Sequence, residues 1–227
     1  MRTPPCPPTS PAARPRLRAL GVLALAACVG ACGGLFGGKS QPVQSYMFAP
    51  RAFTDAIEAS PSDRVLLLAS VKSIGYDSQH MAYAMRPYER TFYAYSRWAD
   101  APPRMLEPVV AQAMEASGLF RAVVDATSSV PADYRLDLNL LVLQHEFHTA
   151  RSQGNVVIRA QLNSLATNAI IGTRVFQGTA TAPSENPYGG VLAINMVLEN
   201  ILVDLVTWVA DAIADEAEQE SAPPAGP

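Results

Sequence analysis

The sequence predicts an α+β domain, a two-layer sandwich in which a mixed β-sheet carries two main helices packed on it. Three observations point there. Short apolar or alternating runs recur between residues 64 and 180 at lengths that suit strands. Two other stretches, near 102–117 and 186–217, repeat their apolar residues every three or four positions. Strands and helices come in mixed order, with the helices few and long, and no internal repeat interrupts them.

Taken in order, Arg64–Val71 (RVLLLASV) is a continuous apolar run that suits a strand buried on both faces. Met81–Met85 and Thr91–Trp98 are aromatic-rich segments separated by Arg86-Pro87-Tyr88-Glu89-Arg90, which reads as a hairpin. Strict alternation in the second segment turns Phe92, Ala94, Ser96 and Trp98 to one side and Thr91, Tyr93, Tyr95 and Arg97 to the other. Phe92 and Trp98 mark the core side. Asp100-Ala101-Pro102-Pro103 opens a helix that reaches Ser117, with Leu106, Val109, Val110, Ala113 and Met114 along one face and Gly118 as its stop. Pro108 forfeits a hydrogen bond to Arg104, which predicts a kink or a late start. Phe120–Val124, Tyr134–Leu143, Val156–Asn163 and Arg174–Ala180 follow as strands. Asn186–Ala217 is a long helix with Ile194, Leu198, Ile201, Leu205, Trp208 and Ala212 on one side. A polar stripe of Asn195, Glu199, Asp204, Thr207, Asp211 and Asp215 argues against a membrane span and for packing on the sheet. Residues 218–227 read as a disordered tail.

The first residues are of another kind. Arg2, Arg14, Arg16 and Arg18 precede the apolar stretch Ala19–Ala27, and no acidic residue occurs before Asp55. This is the charge and apolar order of a signal peptide, too short for a bilayer span of about 20 residues. It ends Leu25-Ala26-Ala27-Cys28, which resembles the lipobox of bacterial lipoproteins. Cleavage before Cys28 leaves residues 1–27 as signal peptide and makes Cys28 the lipid-bearing first residue, with diacylglycerol on sulfur and a palmitate-type acyl group on the amine. Cys32 lies in a weaker second lipobox. Residues 28–44 then form a flexible tether to a domain at 45–217. Within the tether Gly33–Ser40 (GGLFGGKS) matches the phosphate-loop pattern letter by letter. The match lacks its mechanism, because no strand delivers Gly33 and Pro42 forbids a helix opening at Lys39-Ser40. No nucleotide site is expected there.

Composition narrows the function. Removing the four leader arginines from 17 basic residues leaves 13 against 20 acidic ones, a net charge of −7, and no basic residue follows Arg174. Nucleic acid is therefore not expected as a partner. The cysteines, Cys6, Cys28 and Cys32, all precede the domain, so neither a disulfide framework nor a thiol nucleophile is expected within it. His145-Glu146-Phe147-His148 is one residue short of H-E-x-x-H, and on a strand its histidines face opposite sides. It reads as a solvated strand end rather than a metal site. There is no G-x-S-x-G elbow. We expect no enzyme activity, metal or cofactor. Tyr83, Tyr88, Tyr93, Tyr95 and Trp98 crowd into sixteen residues, as core and strand formers or as a recognition surface. On the second view Tyr93, Tyr95 and Arg97 are the candidate partner-binding residues.

Met81–Asp125 resembles the ABC-type transport auxiliary lipoproteins of Gram-negative bacteria, the PqiC-like family. The marks are the aromatic strand ending Arg97-Trp98-Ala99, the Pro102-Pro103 helix start, Met105-Leu106 and Phe120-Arg121-Ala122-Val123-Val124. Tyr46-Met47-Phe48, Ala132-Asp133-Tyr134-Arg135-Leu136 and Asn186-Pro187-Tyr188-Gly189-Gly190-Val191 extend the likeness over most of the mature chain. His145-Glu146-Phe147-His148 departs from the family, which more often has glutamine and acidic residues there. The resemblance implies a non-catalytic, lipid-anchored, periplasm-facing domain at the outer membrane. Its partners would be an MCE-domain substrate-binding protein, an ABC permease and an ATPase that together move phospholipid between membranes. A homo-oligomer is compatible with that role. The competing expectation is a structural outer-membrane assembly lipoprotein; a lipid hydrolase lacks a nucleophile.

Mass spectrometry of the mature N-terminus tests the leader directly. The expected mass carries three acyl chains on Cys28; lipid on Cys32 alone overturns the assignment. Val29 rather than an acidic residue follows Cys28, so outer-membrane fractionation is the expected outcome.

Overall fold

A thirteen-residue strand of alternating apolar and polar residues, Tyr134–Glu146, organises the molecule. The structure is a computed structural model that describes residues 41–50 and 63–221. Cys28 and the Gly33–Ser40 stretch lie outside the described residues. In chain order the elements are β1 (Gln44–Tyr46), β2 (Val65–Leu68), β3 (Lys72–Ser73), β4 (His80–Ala84), β5 (Thr91–Trp98), α1 (Pro102–Ala116), β6 (Ala122–Asp125), β7 (Tyr134–Glu146), β8 (Gln153–Ser164), β9 (Ala169–Thr181) and α2 (Pro187–Ser221). The fold is α+β, a mixed nine-stranded sheet with two helices.

The two edges of β7 are used differently. One pairs antiparallel with β8 from Tyr134↔Ser164 to Glu146↔Gln153, and β8 continues antiparallel into β9. The other takes three short parallel strands in succession: β2 at Tyr134–Leu136, β3 at Asn139-Leu140 and β4 at His145-Glu146. β4 and β5 form the expected antiparallel hairpin, with β1 parallel to β5 beyond it. β6 lies parallel to β2.

β8 alternates without a fault, so Val156, Ile158, Ala160 and Leu162 are buried while the residues between them are half-exposed. These side chains join Leu136, Leu138, Leu140 and Leu143 of β7 in one core with the apolar faces of both helices. On the opposite side β7 and β8 are polar: Arg135 is paired to Asp137, and Asn163 donates to the same carboxylate at 2.9 Å. The helices therefore form one layer and the sheet the other.

α1 starts at Pro102, two residues after the predicted opening, because prolines at its first positions have no N–H to leave unpaired. It runs through Pro108 to Ala116, where Gly118 takes the left-handed conformation (φ 69°) that ends helices. Ile194, Leu198, Ile201, Leu205 and Val209 of α2 face the sheet and are buried. Among the described residues α2 alone is long and apolar enough to cross a bilayer, yet its most apolar stretch is 61% buried within the domain. The helix continues to Ser221, past the predicted end at Ala217, so Glu218–Ser221 belong to α2 and not to a tail.

Two glycines permit this seat. A Cβ on Gly154 would stand 2.7 Å from the Ile194 nitrogen, and one on Gly190 would stand 2.5 Å from His145 Nδ1. Neither neighbour is a movable side-chain tip, so Gly154→Ala should push α2 off the sheet and cost on the order of 1–3 kcal/mol in chemical denaturation. Trp98→Ala removes a ring that is 1% exposed and edge-on to Phe48 at 5.0 Å. We expect a loss of about 3–5 kcal/mol for it.

Candidate partner surface on the β4–β5 hairpin

The faces of β5 differ from strict alternation, and the cause lies in the pairing. His80 stands opposite Arg97, but Ala82 stands opposite Phe92. Four residues of β5, Tyr93–Ser96, thus face the single Met81 between those pairs, three more than regular pairing allows. An odd excess exchanges the two faces. Below the bulge Ser96 and Trp98 are buried as expected, while above it Phe92 points outward and is 43% exposed. Tyr93 turns inward instead.

Inside, Tyr93 belongs to a ring cluster. Its hydroxyl and His145 Nδ1 are 2.9 Å apart, and its ring packs on Tyr83 with centroids 4.6 Å apart. His145 stacks on Phe147 at 4.2 Å, and Phe147 meets Tyr83 edge-on. Burial raises the Tyr93 phenol well above its usual range, with the Tyr83 and Glu185 charges adding to it. Tyr93 is thus a packed strut of the hairpin, held in its neutral form.

His145 corrects a second expectation, for it is fully buried rather than solvated. A bulge in β7 explains this: Leu140 pairs Ile158 but Val142 pairs Val157, so Leu141 is extra and every later side chain changes face. His145 then lies under α2, and its Nε2 finds no hydrogen-bond partner among the described residues. Burial lowers its pKa, a shift that Glu185 partly opposes. Glu146 goes to the polar face. Burial alone would raise its carboxyl, but hydrogen bonds from Gln144, Asn155 and Gln153, with His148 3.5 Å away, outweigh that and hold it ionised. Among the described residues no group of His, Cys, Asp and Glu is arranged to hold a metal ion.

The outward face of the hairpin is a smaller set than the one predicted. Tyr95 is 54% exposed, Arg97 is exposed and its Nε donates to Ser45 of β1 at 3.2 Å, and Phe92 lies 5.2 Å from the His80 ring. The structure keeps Tyr95 and Arg97 on one surface, separates Tyr93 from them, and adds Phe92 and His80. Period-two reasoning missed Phe92 because a bulge leaves no residue signature in TFYAYSRW.

Comparison with known proteins fits this architecture. Residues 46–206 match the model of the ABC-type transport auxiliary lipoprotein component, so the chain belongs to that family. A crystal structure of a Xanthomonas campestris protein superposes with a TM-score of 0.71 at 20% identity, covering 78% of this chain and 99% of that one. An uncharacterized protein superposes with a TM-score of 0.59 at 10% identity, over 74% of this chain and 99% of its own. At these identities the likeness is one of fold alone. No curated protein sequence matches.

The two tyrosines should separate on mutation. Tyr95→Ala should stay within about 0.5 kcal/mol of the parent, whereas Tyr93→Ala should cost roughly 3 kcal/mol in urea melts. The pH profile has a sign as well. Because the folded pKa of His145 lies below its ordinary 6.5, the unfolded chain binds the proton first. Its contribution to stability is complete above pH 6.5 and is lost as pH falls through the folded pKa. His145→Gln should flatten the melting-temperature profile in that window, leaving the Glu146 transition at lower pH in place.

Proposed function

We propose that this chain is a non-catalytic, periplasm-facing lipoprotein, anchored in the outer membrane through Cys28, that docks the MCE-domain substrate-binding protein of an ABC-type phospholipid transport system. The permease and ATPase of that system supply the energy. The observation that carries this reading is the family match over residues 46–206, which encloses every strand from the end of β1 onward and most of α2. The outward face of the hairpin supports it. Phe92, Tyr95, His80 and Arg97 combine aromatic area with a guanidinium, the residue types that anchor protein interfaces.

A photocrosslinking amino acid in place of Tyr95, in cells of the native host, tests the proposal. Capture of an MCE-domain protein is the expected result, and adding Phe92→Ser to the same chain should reduce capture about tenfold or more, as loss of a central aromatic anchor does. Crosslinks to outer-membrane assembly components, with none to an MCE-domain protein, would overturn it.

A further inference from the structure

The turn joining β4 to β5 carries a residue that neither local conformation nor packing accounts for. Tyr88 has φ 65°, and apart from Asn168 it is the only non-glycine among the described residues with positive φ. A bulky side chain is disfavoured there by roughly 1–3 kcal/mol, where Gly or Asn would fit freely. Its ring is fully exposed and makes no hydrogen bond or ring contact among the described residues. The turn is nonetheless well defined: Glu89 N–H donates to Arg86 O at 3.3 Å, and the Arg86 side chain meets Glu89 at 3.5 Å. Beside it stand two more exposed apolar residues, Met85 at 53% and Ile74 at 79%. Arg90 ties the loop bearing Ile74 to the hairpin, donating to Tyr76 Oη at 2.9 Å and to Gly75 O at 3.4 Å.

The position of this turn suggests what covers it. β1 is parallel to β5 with Gln44 opposite Ser96 and Tyr46 opposite Trp98, and β5 runs away from the turn. The chain therefore enters β1 from the turn's end of the sheet. Gln44 stands five residues along from the start of β5 at Thr91, about 17 Å at ~3.4 Å per residue. Cys28 precedes Gln44 by sixteen positions, a span of up to about 54 Å, long enough for a chain anchored there to let the turn meet the membrane. Charge points the same way. Arg86, Arg90 and Arg151 lie at this end with Glu89, Glu146 and Glu185, a balance near neutral, and Lys72 and Asp77 flank the Ile74 loop. The opposite end, where Glu216 meets Tyr134 at the start of β7, sets Arg64, Arg121 and Arg135 against Asp133, Asp137, Asp211, Asp215, Glu216 and Glu218, and stays acidic. Anionic lipid would repel that end.

We propose that the β4–β5 turn, with Tyr88 at its apex and Met85 and Ile74 beside it, is a contact with the interface of the phospholipid bilayer to which the chain is tethered. The Tyr88 ring sits at headgroup depth, where tyrosine is favoured, and Arg86 faces lipid phosphate. The contact fixes which end of the domain faces the membrane, and it rests on the reading that Cys28 carries the anchor.

The test uses the mature, full-length lipoprotein with Cys32→Ser, reconstituted in phosphatidylethanolamine–phosphatidylglycerol vesicles. A polarity-sensitive fluorophore is placed at Tyr88→Cys or, as a control in the turn between β8 and β9 at the opposite end, at Leu165→Cys. The expected result is a blue shift and quenching by spin-labelled lipid at position 88, with neither at 165. Floated, Cys28-lipidated protein whose label at 88 stays in water overturns the proposal and leaves the anchor standing. Shielding of 88 only after a purified partner protein or excess unlabelled chain is added also overturns it. If mass spectrometry finds no lipid on Cys28, the anchoring reading fails separately, and vesicles titrated onto that chain decide the contact by the same two labels.

Discussion

β7 must satisfy the backbone of four other strands at once, and the domain is arranged around how it does so. Its long partner β8 takes one edge for the full length, while β2, β3 and β4 divide the other. The short strands are stable only because β7 supplies a template, since isolated strands of two to five residues do not persist in water. α2 then covers β7, β8 and β9 at a distance that the missing Cβ atoms of Gly154 and Gly190 allow. Remove the close approach and the apolar stripe from Ile194 to Val209 loses its cover.

One extra residue in β7 decides the chemistry of the strand's end. Were Leu141 paired in step, Gln144 and Glu146 would point beneath α2 and His145 to solvent. The bulge sends the carboxylate to a polar face where Gln144, Asn155 and Gln153 hydrogen-bond it. The imidazole goes to the inside, where burial favours its neutral form. A buried carboxylate without such partners would cost several kcal/mol.

The hairpin divides its labour by face. Inward, Tyr83, Tyr93, His145 and Phe147 brace it against β7, so the outward residues sit on a rigid support rather than a loop. Outward, Phe92, Tyr95 and Arg97 remain free to meet another surface. The chain belongs to the ABC-type transport auxiliary lipoprotein components, and in it one face of the hairpin supplies packing while the other stays exposed on that support.

Much of this was written in local patterns. The order of the longer strands, both helices, the hairpin and the buried stripe of α2 follow from apolar periodicity, which is a property of neighbours in the chain; β1 and β3, at three and two residues, are too short to show any. What only the tertiary structure decided was which side of each strand faces in after a bulge, because register depends on the partner strand and not on the residues that slip. Phe92, Tyr93 and His145 were misplaced on that ground alone. The extension of β7 to Glu146 and of β9 back to Ala169 likewise depends on β8 as a template, since polar residues such as Gln144 and Thr173 enter a strand only when a neighbour claims their backbone hydrogen bonds.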